Sequence, residues 1–418
     1  MTAGVVRVNV SRLTGDLREL SGFGRLPGGG VTRTSYSAAD LQARSWFVAR
    51  CNAAGLEVSS DGLGNLLARL DPAGCDPSVP AVWTGSHLDT VPEGGAYDGA
   101  VGVLSALECL RRLSEERVAL VRPVQLVMFA DEEGCYHHLL GSTGLARGLS
   151  REQLADRRGR DGTRLVDALA GAGLDLDGAA STVIDPAQVH AYVELHIEQG
   201  PVLESAGINI GVVTSIVGIG GGTVGFTGRA DHAGTTPMPA RHDALRAAGH
   251  FLVRLPDAAA EVSEQAVITC GLIDVTPGAT NVVPATAELQ LDYRDVSMPR
   301  MLALGDGIVR SAQAAALECG VTAYVRFEDT VEPVLLDDGV QDAVEQAAAS
   351  LGYSSRRMPS GAGHDAQNMA KIAAAGMIFV PSVDGRSHTK EEYTSPEDIE
   401  HGANVLLETL INLCGGER

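Results

Sequence analysis

The run "VQLVMFA", residues 124–130, is apolar on both faces and stops abruptly at "DEE", residues 131–133. A strand with no polar face must be covered on both sides, as the central strands of parallel sheets are. Helical patterns are available to cover it. "LQARSWFVARCNAAGL" has helical spacing, and in "GAVGVLSALECLRRL" Val101, Leu104, Leu107 and Leu110 recur on roughly one face. "AVWTGSHLDTV" and "GMIFVPS" read as further strands, and the alternation in "AYVELHIEQG" predicts a half-buried one. "SPEDIEHGANVLLETLINL" predicts a last helix with Ser395 as N-cap and Pro396 in its first turn. Strands alternating with helices imply an α/β sheet covered on both faces, with ligands gathering beyond the carboxyl ends of the strands.

A chain of 418 residues exceeds what one core usually serves. Between Gly211 and Asp329 the pattern changes to strand "GTVGFTGRA", helix "ARHDALRAAGHFLVRL", strands "AVITCGLIDV" and "TAELQLDYRD", helix "MPRMLALGDGIVRSAQAAALEC" and strand "TAYVRFED". That β-α-β-β-α-β order is the ferredoxin-like arrangement. The expectation is an α/β domain over residues 1–210 and 330–418, with a small ferredoxin-like domain over 211–329 inserted into it.

The formal net charge is −21, which speaks against nucleic acid and anionic membrane surfaces as partners. An anionic substrate would need a local cation working against that field, so a well-placed arginine is worth finding. Seven cysteines lie scattered with no C-x-x-C spacing, as expected of reduced thiols in the cytoplasm. "MTAGVVRVNVSRL" has no signal-like apolar stretch, and no apolar run approaches membrane-spanning length.

Candidate ligands follow several strands. His87 and Asp89 sit two apart in "GSHLDTVPEGGAYDGAVG", so in an extended chain both point the same way and Asp89 could orient the His87 imidazole. Asp98 precedes a helix and reads equally as an N-cap. Adjacent Glu132 and Glu133 could divide two tasks, one binding metal and one acting as general base, or could be a solvated acidic loop. His196 lies in its strand beside Glu198 and Gln199, and His388 in the loop "DGRSHTKEEYTSPED"; each taken alone reads as structural or exposed. Together His87, Asp98, Glu133, His196 and His388 are three imidazoles and two carboxylates near one sheet edge. A carboxylate bridging two divalent ions of the Zn, Mn, Co or Ni type, with His and Glu as terminal ligands, is a standard hydrolytic site.

With these residues assembled, the chain resembles the M20 di-metal peptidases and amidohydrolases, and within them the hydantoinase/carbamoylase branch. The motifs that carry the resemblance are "GSHLDTVPEGGAYDGAVGVL", "DEEG", "HIEQGPVLE", "ADHAGTTPM" with "RHDAL", "TNVVPA", "DYRD", "SGAGHDA" and "MIFVPS" with "SH". The resemblance implies that Asp98 bridges two metals and that His87, His196, Glu133 and His388 complete the two shells. Glu132 would be the general base and Asp89 an orienter. The insert would be a lid and homodimerisation domain carrying His232, Asn281 and Arg294 to the substrate, the His reaching a neighbouring subunit.

Residue alternation in "AELQLDYRD" places Glu288, Gln290, Asp292 and Arg294 on one polar face, where Arg294 is either a carboxylate-binding group or one half of a surface ion pair. Gln199 falls near the scissile group in the family motif, or is a structural amide. Gly361 and His364 in "SGAGHDA" either shape the substrate pocket or hold the glycine turn. The implied activity is hydrolysis of an N-carbamoyl (ureido) L-amino acid. An aminoacylase or dipeptidase, and a catalytically silent homologue, are the alternatives. The family usually continues Glu-Glu-Gly-x-Arg-Phe, whereas this chain has Cys135, Tyr136 and His137 after Gly134, which leaves the substrate open. The five-ligand set is complete without Cys135, His137 and His138, so no metal role is expected for them.

Overall fold

The computed structural model describes residues 6–328 and 330–416. The chain forms two compact units. The larger comprises residues 1–214, 335–358 and 364–418, and the smaller comprises 215–334 and 359–363. The expected boundary at 329 falls on a residue outside those described. The smaller unit begins at Ser215, within the strand Ile210–Ile216 that also contains Gly211.

In chain order the strands are β1 (Val58–Ser60), β2 (Leu66–Leu70), β3 (Ala81–His87), β4 (Val124–Phe129), β5 (Val189–Ile197), β6 (Ile210–Ile216), β7 (Gly218–Thr227), β8 (Val267–Thr276), β9 (Thr286–Asp295), β10 (Thr322–Phe327), β11 (Val334–Leu335), β12 (Ser355–Ser360) and β13 (Ala374–Val380). The large sheet runs β1-β2-β4-β3-β5-β13-β6-β11, with β12 beside β6. Its centre, β4-β3-β5-β13, is parallel, so those four strands deliver their carboxyl ends to one edge. Register aligns these ends: His87 lies opposite Phe129, and His196 opposite Phe379.

β3 and β4 are buried at every position, as "VQLVMFA" requires. β5 is buried at all but one position, not half-buried as its alternation suggested. Its polar residues face inward because they have partners there. The Glu194 carboxylate accepts hydrogen bonds from Ser86 Oγ at 2.7 Å, Ala366 N at 3.0 Å and Tyr192 OH at 3.1 Å. The helix Ala100–Glu115 has thirteen buried residues and the helix Pro396–Leu413 eleven, covered by the sheet and by neighbouring helices. The Ser395 hydroxyl accepts from Asp398 N at 3.1 Å and caps the latter.

The smaller unit is a four-stranded antiparallel sheet, β10-β7-β9-β8, with helices Ala244–Ala260 and Met298–Cys319 in βαββαβ order. Along β9 apolar residues are buried, and Glu288, Gln290, Asp292 and Arg294 share the opposite face. β8 is an edge strand with Val267, Leu272 and Ile273 exposed.

Candidate active site

Four strand ends supply one cluster in the larger unit. His87 closes β3, Glu132 and Glu133 follow β4, His196 is the penultimate residue of β5, and His388 lies in the loop beyond β13. Asp98 enters from the loop before the helix Ala100–Glu115. It does not cap that helix: the N-cap position is Gly99, and no side chain bonds there. Gly99 has a φ of +63°, and a Cβ on it would lie 2.5 Å from the His87 ring, so the residue after Asp98 can carry no side chain.

The Asp98 carboxylate is the hub. His196 Nε2 lies 3.1 Å from Oδ1 and His87 Nε2 3.9 Å from it, whereas His388 Nε2 lies 3.1 Å from Oδ2. His388 Nε2 is also 3.5 Å from Glu133 Oε2. Two sets of ligand atoms close enough to hold an ion share Asp98: His87, Asp98 and His196 in one, and Asp98, Glu133 and His388 in the other. A third set joins His87, Glu132 and Glu133, and a fourth Glu194, His196 and His364.

The chemistry of the set fits metal ions. Asp98 Oδ1, Glu133 Oε1 and His196 Nε2 are buried without a well-aligned hydrogen bond, Asp98 Oδ1 and His196 Nε2 facing each other at 3.1 Å, a costly arrangement unless a cation completes it. Burial, then the charge of Glu133, pushes the Glu132 carboxyl well above the usual carboxylate range. Burial and Asp98 do the same to Glu133. Burial alone would raise Asp98 too, but His196 and His388 hold it well below. Burial opposes charge on His196, yet the Asp98 carboxylate outweighs it and carries the imidazole up to about 9; Asp98 likewise lifts His388 to about 9. Divalent ions would displace such protons, so binding would release them.

The supports of this cluster extend beyond the expected residues. Asp89 faces His87 with both its backbone and its carboxylate. His87 Nδ1 lies 3.0 Å from the Asp89 backbone carbonyl, and the carboxylate, 3.7 Å away, accepts the N–H groups of Glu132 at 3.3 Å and Glu133 at 3.1 Å. Those two hydrogen bonds tie the backbone of Glu132 and Glu133 to Asp89. Gln199 donates from Nε2 to Asp98 Oδ2 at 2.9 Å, so it holds the hub.

Glu392 was not found from the sequence. Its Oε1 accepts from the N–H groups of Tyr97 at 2.9 Å and Asp98 at 3.0 Å, and its Oε2 from Ser387 Oγ at 2.8 Å and His388 N at 3.3 Å. One carboxylate thus ties the Asp98 loop to the His388 loop. Arg33, wholly buried, was also missed; its Nε donates to the Leu88 carbonyl at 2.7 Å and supports the segment between His87 and Asp89.

His364 lies in the larger unit, its ring 4.4 Å from that of His196; burial and the positive charge of His196 keep it neutral. Gly361 belongs to the smaller unit, where its carbonyl accepts from Arg294 at 2.9 Å. There Arg294 also clasps Asp292 through two hydrogen bonds, at 2.8 and 3.0 Å. His232 bridges to Val282, and the Asn281 carbonyl accepts from Ala233 N, so the His232 and Asn281 segments run side by side. His232 Nδ1 lies 3.0 and 3.2 Å from the N–H groups of Gly234 and Thr235. Backbone N–H groups only donate, so Nδ1 is the acceptor and the exposed ring presents Nε2–H as a donor. Cys135, His137 and His138 join no metal-capable cluster among the described residues. No described helix is long and apolar enough to cross a membrane.

Comparison with known proteins gives a consistent answer. Peptidase family M20/M25/M40 matches residues 83–412. An N-carbamoyl-L-amino acid amidohydrolase from Geobacillus stearothermophilus is 39% identical over 408 residues, 97% of this chain and 99% of that protein. A ureidoglycolate hydrolase from Arabidopsis thaliana is 36% identical over 98% of this chain and 88% of its own. Among solved structures, a hydantoinase/carbamoylase family amidase from Burkholderia multivorans superposes with a TM-score of 0.90 at 33% identity, covering 98% of both chains.

Proposed function

The chain belongs to peptidase family M20/M25/M40, and from that premise we propose that it is a metal-dependent amidohydrolase acting on an N-carbamoyl L-amino acid or related ureido acid. It would cleave the carbamoyl C–N bond and release amino acid, carbon dioxide and ammonia. The observation that carries this reading is the set of buried ligand atoms around Asp98 that lack well-aligned hydrogen bonds. The named activities of the relatives supply the substrate class.

His87, Asp98 and His196 would hold one divalent ion, and Asp98, Glu133 and His388 a second, of the Zn, Mn, Co or Ni type. Bound ions would supply Lewis acidity and lower the pKa of water. Glu132, buried and 3.5 Å from His87 Nε2, takes the proton of the water that adds to the carbamoyl carbon. It then returns that proton to the departing nitrogen as the C–N bond breaks. The carbamate so released falls apart to carbon dioxide and ammonia.

The smaller unit serves as a lid and homodimerisation domain in this reading, which the exposed edge strand β8 favours. His232 offers Nε2–H to the developing oxyanion, from its own chain or a partner's, and Arg294 and Asn281 take the substrate carboxylate. Asp89 and Gln199 act as positioning residues, His364 and Gly361 shape the substrate pocket, and seven free cysteines suit the cytoplasm.

The test is Glu132→Gln, assayed for metal content and for ammonia release from N-carbamoyl L-amino acids. Metal should be retained while turnover falls about 10²- to 10⁴-fold. Unchanged turnover sinks the base assignment, and amino-acid release from dipeptides without ammonia from ureido acids sinks the reaction.

A further inference from the structure

A cavity of about 260 Å³ opens beside the metal-capable cluster, lined on its inner side by Asp89, Glu133 and Gly134 and elsewhere by Thr34, Val91 and Cys135. That is the space of roughly nine water molecules at ~30 Å³ each, enough for an amino-acid side chain. All of its lining residues belong to the larger unit.

Its outer wall, Arg160 and Asp161, comes from the turn "RRGRDGTR", residues 157–164. Four arginines in eight residues are conspicuous in a chain of net charge −21. The turn is closed by Gly159 N donating to the Thr163 carbonyl at 2.8 Å and Leu165 N to the Arg157 carbonyl at 2.9 Å. It stands directly on the segment where this chain leaves its family's pattern. A Cβ on Gly159 would lie 3.4 Å from the Tyr136 ring and 3.5 Å from Cys135 Sγ. Tyr136 in turn packs on Tyr36, with ring centroids 5.9 Å apart. The departing residues therefore build one wall of the cavity and carry the other.

The charges on that turn are not equivalent. Arg164 pairs with Asp167, Arg157 donates to the Gln153 carbonyl, and Arg158 to the Gly162 carbonyl. The Asp161 carboxylate accepts from Thr163 N at 2.9 Å and from its hydroxyl at 2.8 Å. Among the described residues, the Arg160 guanidinium alone of these four has no hydrogen bond or ion pair, and it is the one that lines the cavity. The cavity is thus acidic at its inner end, beside Glu133, and carries at its rim one unengaged cation, Arg160, next to the Asp161 carboxylate that Thr163 already occupies. A substrate whose ureido group reacts at the inner end would place a distal anion against Arg160.

We propose that this cavity is the substrate side-chain subsite, and that Arg160 is a specificity-determining residue selecting a ureido acid with a second carboxylate. The inference rests on the ureido-acid reading above for its orientation, and its test separates the two. The probes are N-carbamoyl-L-glutamate and its neutral isostere N-carbamoyl-L-glutamine. Each is measured for kcat/KM and for equilibrium binding on the metal-loaded wild type, Arg160→Gln and Arg160→Lys.

The wild type should favour the glutamate derivative about tenfold, in KM and in binding, as expected of a guanidinium–carboxylate pair at a cavity mouth. The ratio should fall to near one in Arg160→Gln, recover partly in Arg160→Lys, and shrink with added salt. A wild type without that preference, an unchanged ratio in Arg160→Gln, or failure to bind either probe overturns the subsite. Absence of turnover together with an Arg160-dependent binding preference would remove the ureido hydrolase reading and leave the subsite standing. Turnover of both probes without preference would do the reverse.

Discussion

Around Asp98 the larger unit leaves buried polar atoms without well-aligned hydrogen bonds, whereas on the smaller unit the arginine expected to meet substrate is already engaged with its own neighbours. Asp98 and Glu133 are held ready by the Glu392 and Asp89 carboxylates, which accept their backbone N–H groups, and the His196 ring by its Nδ1 lying 2.9 Å from the Ile197 carbonyl. Arg294, by contrast, clasps Asp292 and the Gly361 carbonyl, while His232 is aimed by two N–H groups of its own loop on Nδ1. Ligand groups for ions cannot be assembled cheaply on demand, since buried carboxylates repel one another. They are best fixed by the sheet. Groups that bind a transient substrate can wait in exposed pairs that cost little to exchange.

The largest effect should come from the hub. Asp98→Asn keeps the size of the side chain but removes the charge shared by the two ligand sets. Metal content should fall, and ureido hydrolysis should drop at least about 10³-fold, the scale for groups that act as a unit. Elemental analysis beside the activity assay checks this. A variant that kept both metal and turnover would break the contrast, because the larger unit would then not depend on its preformed site.

Much of this arrangement was legible in the sequence, for a local reason. His87, Asp131 to Glu133 and His388 each follow a short apolar run, and parallel sheets send all such ends to one edge. The βαββαβ order of the smaller unit and the polar face of β9 follow from equally local alternation. What stayed hidden depends on distant backbone. Glu392 is separated by 295 residues from Tyr97, whose N–H it accepts, and nothing in "SHTKEEYT" distinguishes it from Glu391. β5 looked half-buried because Glu194 and His196 are polar. Their partners, Ser86, Ala366 and Asp98, arrive from three other segments. Arg160 was hidden among four arginines until the cavity showed which one is unengaged.

A middle-sized effect is expected at Glu392, which makes readiness at Asp98 and His388 a single property. Glu392→Ala removes acceptors from Tyr97 N, Asp98 N, Ser387 Oγ and His388 N. Metal affinity should fall about 10- to 100-fold, the usual range for groups that orient ligands, and excess metal should restore much of the activity. Titration with metal reads this apart from mere loss of fold, since a misfolded variant would not be rescued. Metal affinity equal to that of the wild type would show that the strand ends alone preform the site.

The smallest effect bears on the other half of the contrast, the pair on β9. If Arg294 takes the substrate carboxylate, it must let go of Asp292, so Asp292→Asn should free the guanidinium and lower KM with kcat unchanged. Arg294→Lys should raise KM, because an ammonium cannot replace the two-pronged fork. An exposed ion pair contributes about 0.2–1 kcal/mol, so the Asp292→Asn change should be only about 1.4- to 5-fold. Its direction matters more than its size. A lower KM means that the Asp292 pair competes with substrate and that the smaller unit's groups are held in reserve. A higher KM means that Asp292 aims Arg294, and the smaller unit is then as preformed as the larger. No change in either variant leaves Arg294 a surface ion pair, and the carboxylate would have to find its cation elsewhere.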